Sequence, residues 1–150
     1  MSDPYIYILS LDQAEKFMPG PDDICISIRS PGQEPAKLSE SFLAVLRLYF
    51  SDLGGLKEPF LDDESPLSAE DADRIVAFVA EHHAAAQSII VHCEAGISRS
   101  VAVALAISTS FFGYWAFPSW YRARERRDRV VHNQEVFDCV CAAYRRRLAL

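Results

Sequence analysis

Several features of exported, membrane-bound or metal-stapled chains are missing from these 150 residues. No apolar run approaches the roughly 20 residues needed to cross a bilayer. Met1-Ser2-Asp3-Pro4 lacks the basic and apolar regions of a secretory signal, so the expected compartment is the cytoplasm. Cysteine is sparse, with Cys25, Cys93, Cys139 and Cys141 at irregular spacing. A domain of this size needs no disulfide staples, and reduced thiols are expected. No Cys-x-x-Cys occurs, and Cys139 and Cys141, two apart in a helical pattern, point to different faces, which argues against a zinc site. Packing is the expected role of Cys25, Cys139 and Cys141. Repeats, low-complexity stretches and long linkers are absent too, so residues 1–150 are expected to form one domain.

A dominant basic footprint is also lacking. The net charge is −6, with 17 acids against 7 bases over residues 1–99 and 4 against 8 over residues 100–150. That balance argues against a nucleic-acid partner, although it can place an acidic and a basic face on one domain. Arg122, Arg124, Arg126, Arg127 and Arg129, relieved by Glu125 and Asp128, read as a solvated helix face. The aromatic run from Phe111 to Pro118 reads as core closure, and His82-His83 as surface.

Apolar patterning supplies the elements. Tyr5 to Leu9 reads as a strand, and Ile24-Cys25-Ile26-Ser27-Ile28 alternates as a second. A turn-rich loop, Arg29 to Pro35, leads to a third strand over Val45–Phe50, closed by Ser51-Asp52 and Gly54-Gly55. Ser68 caps a helix with Glu70 and Asp71 in its first turn, and that helix is expected to end near Ala86. Ile89-Ile90-Val91 is a fully apolar strand, and an Ala/Val-rich helix runs from about Arg99 to Phe111. Asn133 caps a last helix whose apolar stripe is Val136, Phe137, Val140, Cys141 and Tyr144. Strands alternating with helices predict an α/β fold, a central mostly parallel sheet flanked by helices. In such sheets ligands bind beyond the carboxyl ends of the strands.

At that position stands His92-Cys93-Glu94-Ala95-Gly96-Ile97-Ser98-Arg99-Ser100. A loop whose backbone N–H groups turn inward makes an anion nest, and the following helix adds its positive end. The backbone of Glu94, Ala95, Gly96, Ile97 and Ser98 would therefore hold phosphate, with Gly96 relaxing the turn. Arg99 offers a planar fork for two phosphate oxygens. The same positive surroundings favour the thiolate of Cys93, a nucleophile held beneath the phosphate. Ser100 can donate a hydrogen bond to that sulfur as it leaves. A lone cysteine is ordinarily packing and a lone arginine a surface ion pair; together at this spacing they are hard to explain that way.

The segment His92–Ser100 resembles the His-Cys-x5-Arg-Ser/Thr signature of the cysteine-dependent protein tyrosine phosphatase superfamily, and in its HCxAGxSRS form its compact dual-specificity branch. A strand ending in Phe50-x-Asp52 well before the loop is similar to small bacterial and phage phosphatase-like proteins, the resemblance extending over about residues 45–112. It implies a protein tyrosine phosphatase-like fold, with Cys93 as nucleophile, Arg99 as phosphate clamp and Ser100 assisting turnover. His92 would tune the cysteine through loop hydrogen bonds, or else be a satisfied buried histidine. The family draws its general acid from an aspartate after an earlier strand. Asp52, at the end of the third strand, fits that place best; Asp62 and Asp63 are alternatives in an acidic loop with Glu58 and Glu64.

The expected activity is hydrolysis of phosphate monoesters in a phosphorylated protein or peptide through a cysteinyl-phosphate, with no metal or organic cofactor required and no membrane involved. An RNA 5′-phosphatase, a lipid phosphatase or an inactive phosphate-binding module would share the same loop. Glu94 is expected on the rim, where its carboxylate would disfavour polyphosphorylated lipids.

Overall fold

The computed structural model describes residues 3–52, 65–113 and 133–150. Asp62, Asp63 and Glu64, the arginine stretch and most of the aromatic run lie outside the described residues. Along the chain come β1 (Tyr5–Leu9), α1 (Leu11–Lys16), β2 (Asp23–Arg29), β3 (Ala44–Tyr49), α2 (Ala69–His82), β4 (Ser88–His92), α3 (Arg99–Ile107) and α4 (Gln134–Leu148). The four strands form a parallel sheet in the order β1-β4-β2-β3. The expected α/β architecture is thus present.

The period-2 alternation of β2 and β4 sorts their side chains. Ile24, Ile26 and Ile28 of β2, with Ile89 and Val91 of β4, enter the large core together with residues of α2, α3 and α4. Cys25 and Ile90 face the other side, where Phe42, Leu38, Leu9 and Phe17 cover them. Cys93 continues the parity of Ile89 and Val91 and lies on the large-core side. Pairing of β2 with β4 sets Ser27 opposite His92, both on the second face.

Two helix ends differ from the sequence pattern. The helix α2 stops at His82, capped by His83, because residues 84–86 turn back to feed β4. The Ala/Val helix is α-helical only to Ile107; Ser108–Phe112 widens into a π-turn, ending at Gly113 with φ of +78°. His83 is not a plain surface residue, since its ring packs on Phe111 and Phe112 at centroid distances of 5.8 and 5.6 Å. The six-residue α1, which the apolar periodicity does not mark, is closed by a capping box: Ser10 Oγ accepts from Gln13 N, and Gln13 Oε1 accepts from Ser10 N.

No helix among the described residues is long and apolar enough to cross a membrane.

Candidate active site

Residues 93–98 bridge the carboxyl end of β4, an inner strand of the sheet, and the amino end of α3. Cys93 is almost wholly buried; its sulfur accepts from the Gly96 N–H at 3.2 Å and shares a hydrogen bond with the Ser100 hydroxyl at 3.2 Å, in which the hydroxyl is the donor once the sulfur is a thiolate. A sulfur held by an O–H and a backbone N–H is directed, and it is stabilised when it carries negative charge. The structure therefore brings Cys93, Gly96 and Ser100 together as the loop pattern implies.

Gly96 is required twice over. Its φ is +73°, where a side chain is strained, and an added Cβ would sit 2.8 Å from both Leu9 C and Ser10 N. The loop is thus pressed against the junction of β1 and α1, and Leu11 N donates to Glu94 O at 3.0 Å. The sequence suggested only the turn; the close approach to β1 comes from β1 being the neighbour of β4 in the sheet.

Arg99 is buried, and its Nη1 donates to Ser30 Oγ at 3.0 Å and to Phe50 O at 2.8 Å. These contacts fix the guanidinium from the ends of β2 and β3 without neutralising it. Its Nε, also buried, has no hydrogen-bond partner among the described residues. A buried donor left unmatched costs about 1–3 kcal/mol. Such a donor at the end of the loop can serve a phosphate oxygen, which accepts from Nε and a terminal nitrogen together.

His92 is fully buried, with Nδ1 3.1 Å from Cys93 O and Nε2 2.6 Å from Ser27 Oγ. A carbonyl only accepts, so Nδ1 carries the proton; burial lowers the pKa below the usual 6.5, leaving Nε2 as acceptor from the Ser27 hydroxyl. The loop hydrogen bond expected of His92 is present, and Ser27 is a partner the sequence did not reveal.

Asp52, just past β3, lies within reach of the loop. Its Oδ1 accepts from Ser98 Oγ at 2.8 Å and from Asn133 Nδ2 at 2.7 Å. Ser98 therefore has a side-chain contact beyond the backbone role that the loop pattern assigns it, and Asn133 does more than cap α4.

Glu94 departs from expectation. Its side chain turns outward, but Oε1 accepts from Arg29 Nε at 2.9 Å and from Ser30 N at 3.4 Å. Arg29 at the end of β2 thus offsets the rim charge, and repulsion of polyanions by a free carboxylate does not describe this site. Ala95 and Ile97 contribute backbone to the loop; Ile97 is largely buried and Ala95 is exposed. Among the described residues no group of three metal-ligating side chains assembles. The remaining cysteines pack as expected: Cys25 is buried, which pushes its thiol up to about 12, and burial also raises the partly covered Cys139 and Cys141.

Comparison with known proteins bears on the fold. The family model described as the Rit1 DUSP-like domain matches residues 63–130. Mouse dual specificity protein phosphatase 12 is 40% identical over 57 residues, 38% of this chain. The match spans only 17% of the mouse protein. The crystal structure of human DUSP28 superposes with a TM-score of 0.55 at 17% identity, covering 97% of this chain and 95% of that one. That of PTPMT1 gives 0.55 at 15% identity, covering 97% and 92%; a second PTPMT1 structure is a complex with PI(5)P, with a TM-score of 0.53 at 17% identity, covering 85% and 79%. The fold is that of the cysteine-dependent protein tyrosine phosphatases in its compact, dual-specificity-like form.

Proposed function

We propose that this chain is a phosphatase that hydrolyses phosphate monoesters on proteins through a phosphocysteine at Cys93. The observation that carries the reading is the joint placement of Cys93 Sγ, held by Gly96 N–H and Ser100 O–H, and the buried, unmatched Nε of Arg99 at the end of the same loop.

The steps balance without an added metal or cofactor. Phosphate oxygens lodge on the loop N–H groups and the Arg99 fork, with phosphorus above the sulfur. The Cys93 thiolate attacks phosphorus, an S–P bond forms, and the ester P–O bond breaks. Asp52 gives its proton to the departing oxygen. Water then attacks the phosphocysteine, Asp52 takes a proton back, the S–P bond breaks, and inorganic phosphate leaves. Ser100 donates to the sulfur in the second step, stabilising the thiolate that is released.

The loop itself supports a protein substrate over a polyphosphorylated lipid. Positions 94–98 carry Glu, Ala, Gly, Ile and Ser, with no cation among them, and the nearby Arg29 is engaged by Glu94. A second or third phosphate would find little compensating charge there. Phosphotyrosine, and phosphoserine or phosphothreonine after it, fit the single-phosphate nest. The four unpaired cysteines suit a reducing, cytoplasmic setting.

The test is turnover of a phosphotyrosine peptide, a phosphoserine peptide, a 5′-phosphorylated RNA and a phosphoinositide by the wild type, Cys93→Ser and Arg99→Lys. Hydrolysis of the peptides, abolished by Cys93→Ser and cut about 10²-fold or more by Arg99→Lys, is the expected result. Faster hydrolysis of the lipid or the RNA than of either peptide would replace the substrate class. No hydrolysis of any would leave a phosphate-binding module.

A further inference from the structure

Asn133 was legible in the sequence as a helix cap, and it is one: Oδ1 accepts from Val136 N at 3.2 Å. Its other amide atom has a different use. Nδ2 donates to Asp52 Oδ1 at 2.7 Å, and Ser98 Oγ donates to the same oxygen at 2.8 Å. Asn133 is completely buried and Ser98 nearly so. The amide cannot be turned around without facing a carbonyl oxygen to a carboxylate oxygen and an NH2 group to a backbone N–H. Its donor is thus committed to Asp52 by the cap itself.

We infer that Asn133 and Ser98 are positioning residues for the acid step, acting by filling Oδ1 of Asp52 so that the catalytic proton resides on Oδ2. An oxygen that already receives an N–H from Asn133 and an O–H from Ser98 is the poorer site for a proton, because protonating it would set the Asn133 donor against an O–H and force the Ser98 hydroxyl to turn. When Asp52 is protonated, the remaining oxygen carries the hydrogen, and the carboxyl group is held in one rotation about its Cβ–Cγ bond. Both anchors are themselves fixed. Ser98 is the residue before the phosphate-binding Arg99, and Asn133 N also approaches Ser98 O at 3.4 Å. The amino end of α4 thus sets the acid relative to the nucleophile loop. This inference rests on Asp52 being the acid of the proposed reaction.

The experiment compares p-nitrophenyl phosphate, whose leaving group departs with little help, with phenyl phosphate, which needs the proton more. Asp52→Asn gives the reference, a loss concentrated on phenyl phosphate. Asn133→Ser keeps an oxygen that can cap α4 but removes the amide donor. Its kcat for phenyl phosphate is expected to fall about tenfold or more, with less than about threefold change for p-nitrophenyl phosphate. Ser98→Ala, which leaves the cap untouched, should skew the two rates the same way, and melting curves of both variants report whether the fold is intact. Equal losses on the two esters, or no loss, in folded Asn133→Ser and Ser98→Ala overturn the inference. Absence of a skew in Asp52→Asn removes Asp52 as the acid and the inference with it, whereas a wild type inactive on both esters removes the phosphatase reading itself.

Discussion

Ser27 and His92, 65 positions apart in sequence, are joined at 2.6 Å because β2 and β4 pair in parallel with these two residues opposite each other. The bond completes a chain from the Ser27 hydroxyl through the imidazole to the carbonyl of Cys93. A neutral ring is the only form that accepts from Ser27 while donating to Cys93.

That chain is expected to make stability sensitive to acid. Burial lowers the His92 pKa below 6.5. The unfolded state therefore binds more protons than the folded state once the pH drops below about 6.5, and stability falls from there down to the folded value. Denaturant unfolding between pH 8 and 5 should show this fall, and His92→Gln should flatten it while lowering stability at pH 8. An unchanged slope in His92→Gln would assign the acid sensitivity elsewhere.

Gly96→Ala is expected to be severe. The substitution meets both the +73° φ and the backbone of Leu9 and Ser10 at 2.8 Å. Strain of this kind costs about 1–3 kcal/mol before any clash is counted. Phosphatase turnover should drop by about 10²-fold or more as the loop backs away from β1, since small misplacement of reacting groups costs that much. A variant with wild-type melting temperature and turnover would contradict the tight contact.

Substrate choice is expected to depend on the Arg29–Glu94 pair. The side chains are mostly shielded, with 12% and 34% exposure, so the pair is neutral at the rim rather than solvated apart. Glu94→Ala removes the carboxylate that offsets Arg29 and frees its Nε for a second phosphate, while Nη1 stays on the Glu34 carbonyl. Hydrolysis of a phosphoinositide relative to a phosphotyrosine peptide should rise in Glu94→Ala and fall back when Arg29→Ala is added. A ratio indifferent to Glu94→Ala would show that the pair only braces the loop against β2.

The cysteines should differ sharply in reactivity. With its thiol pushed up to about 12 and its side chain fully buried, Cys25 is expected to resist iodoacetamide in the native protein at neutral pH. Cys93 should be the residue that inorganic phosphate protects from alkylation, read by peptide mass mapping. Phosphate protection at Cys139 or Cys141 instead would place the anion elsewhere.

Much of this architecture lies in local patterns. Alternation in Ile24–Ile28 and the apolar run before His92 mark the strands, and Ser68 and Asn133 mark helix starts by their caps. The proposed nucleophile Cys93, clamp Arg99 and assisting serine Ser100 stand in one short segment, so their spacing marks them as candidates. Asp52 was legible as the residue closing β3. What escaped depends on sheet order and register. Ser27, Ser30 and the carbonyl of Phe50 matter only because β2 and β3 end beside the loop, and no periodicity encodes that a parallel sheet runs β1-β4-β2-β3. The short α1 has too few turns for an apolar stripe, although Ser10-x-x-Gln13 carried its capping-box signal. Glu94 was misjudged for the same reason: its partner, Arg29, is set by the neighbouring strand.

The covalent step is tested most directly by rapid acid quench of the wild type during turnover of a phosphotyrosine peptide, followed by mass spectrometry of the peptide containing Cys93. The account predicts a phosphoryl group on Cys93 that is absent from Cys93→Ser and accumulates in Ser100→Ala, where release of the sulfur is slowed. Turnover without a phosphoryl group on Cys93 in either the wild type or Ser100→Ala, or turnover retained in Cys93→Ser, would contradict it.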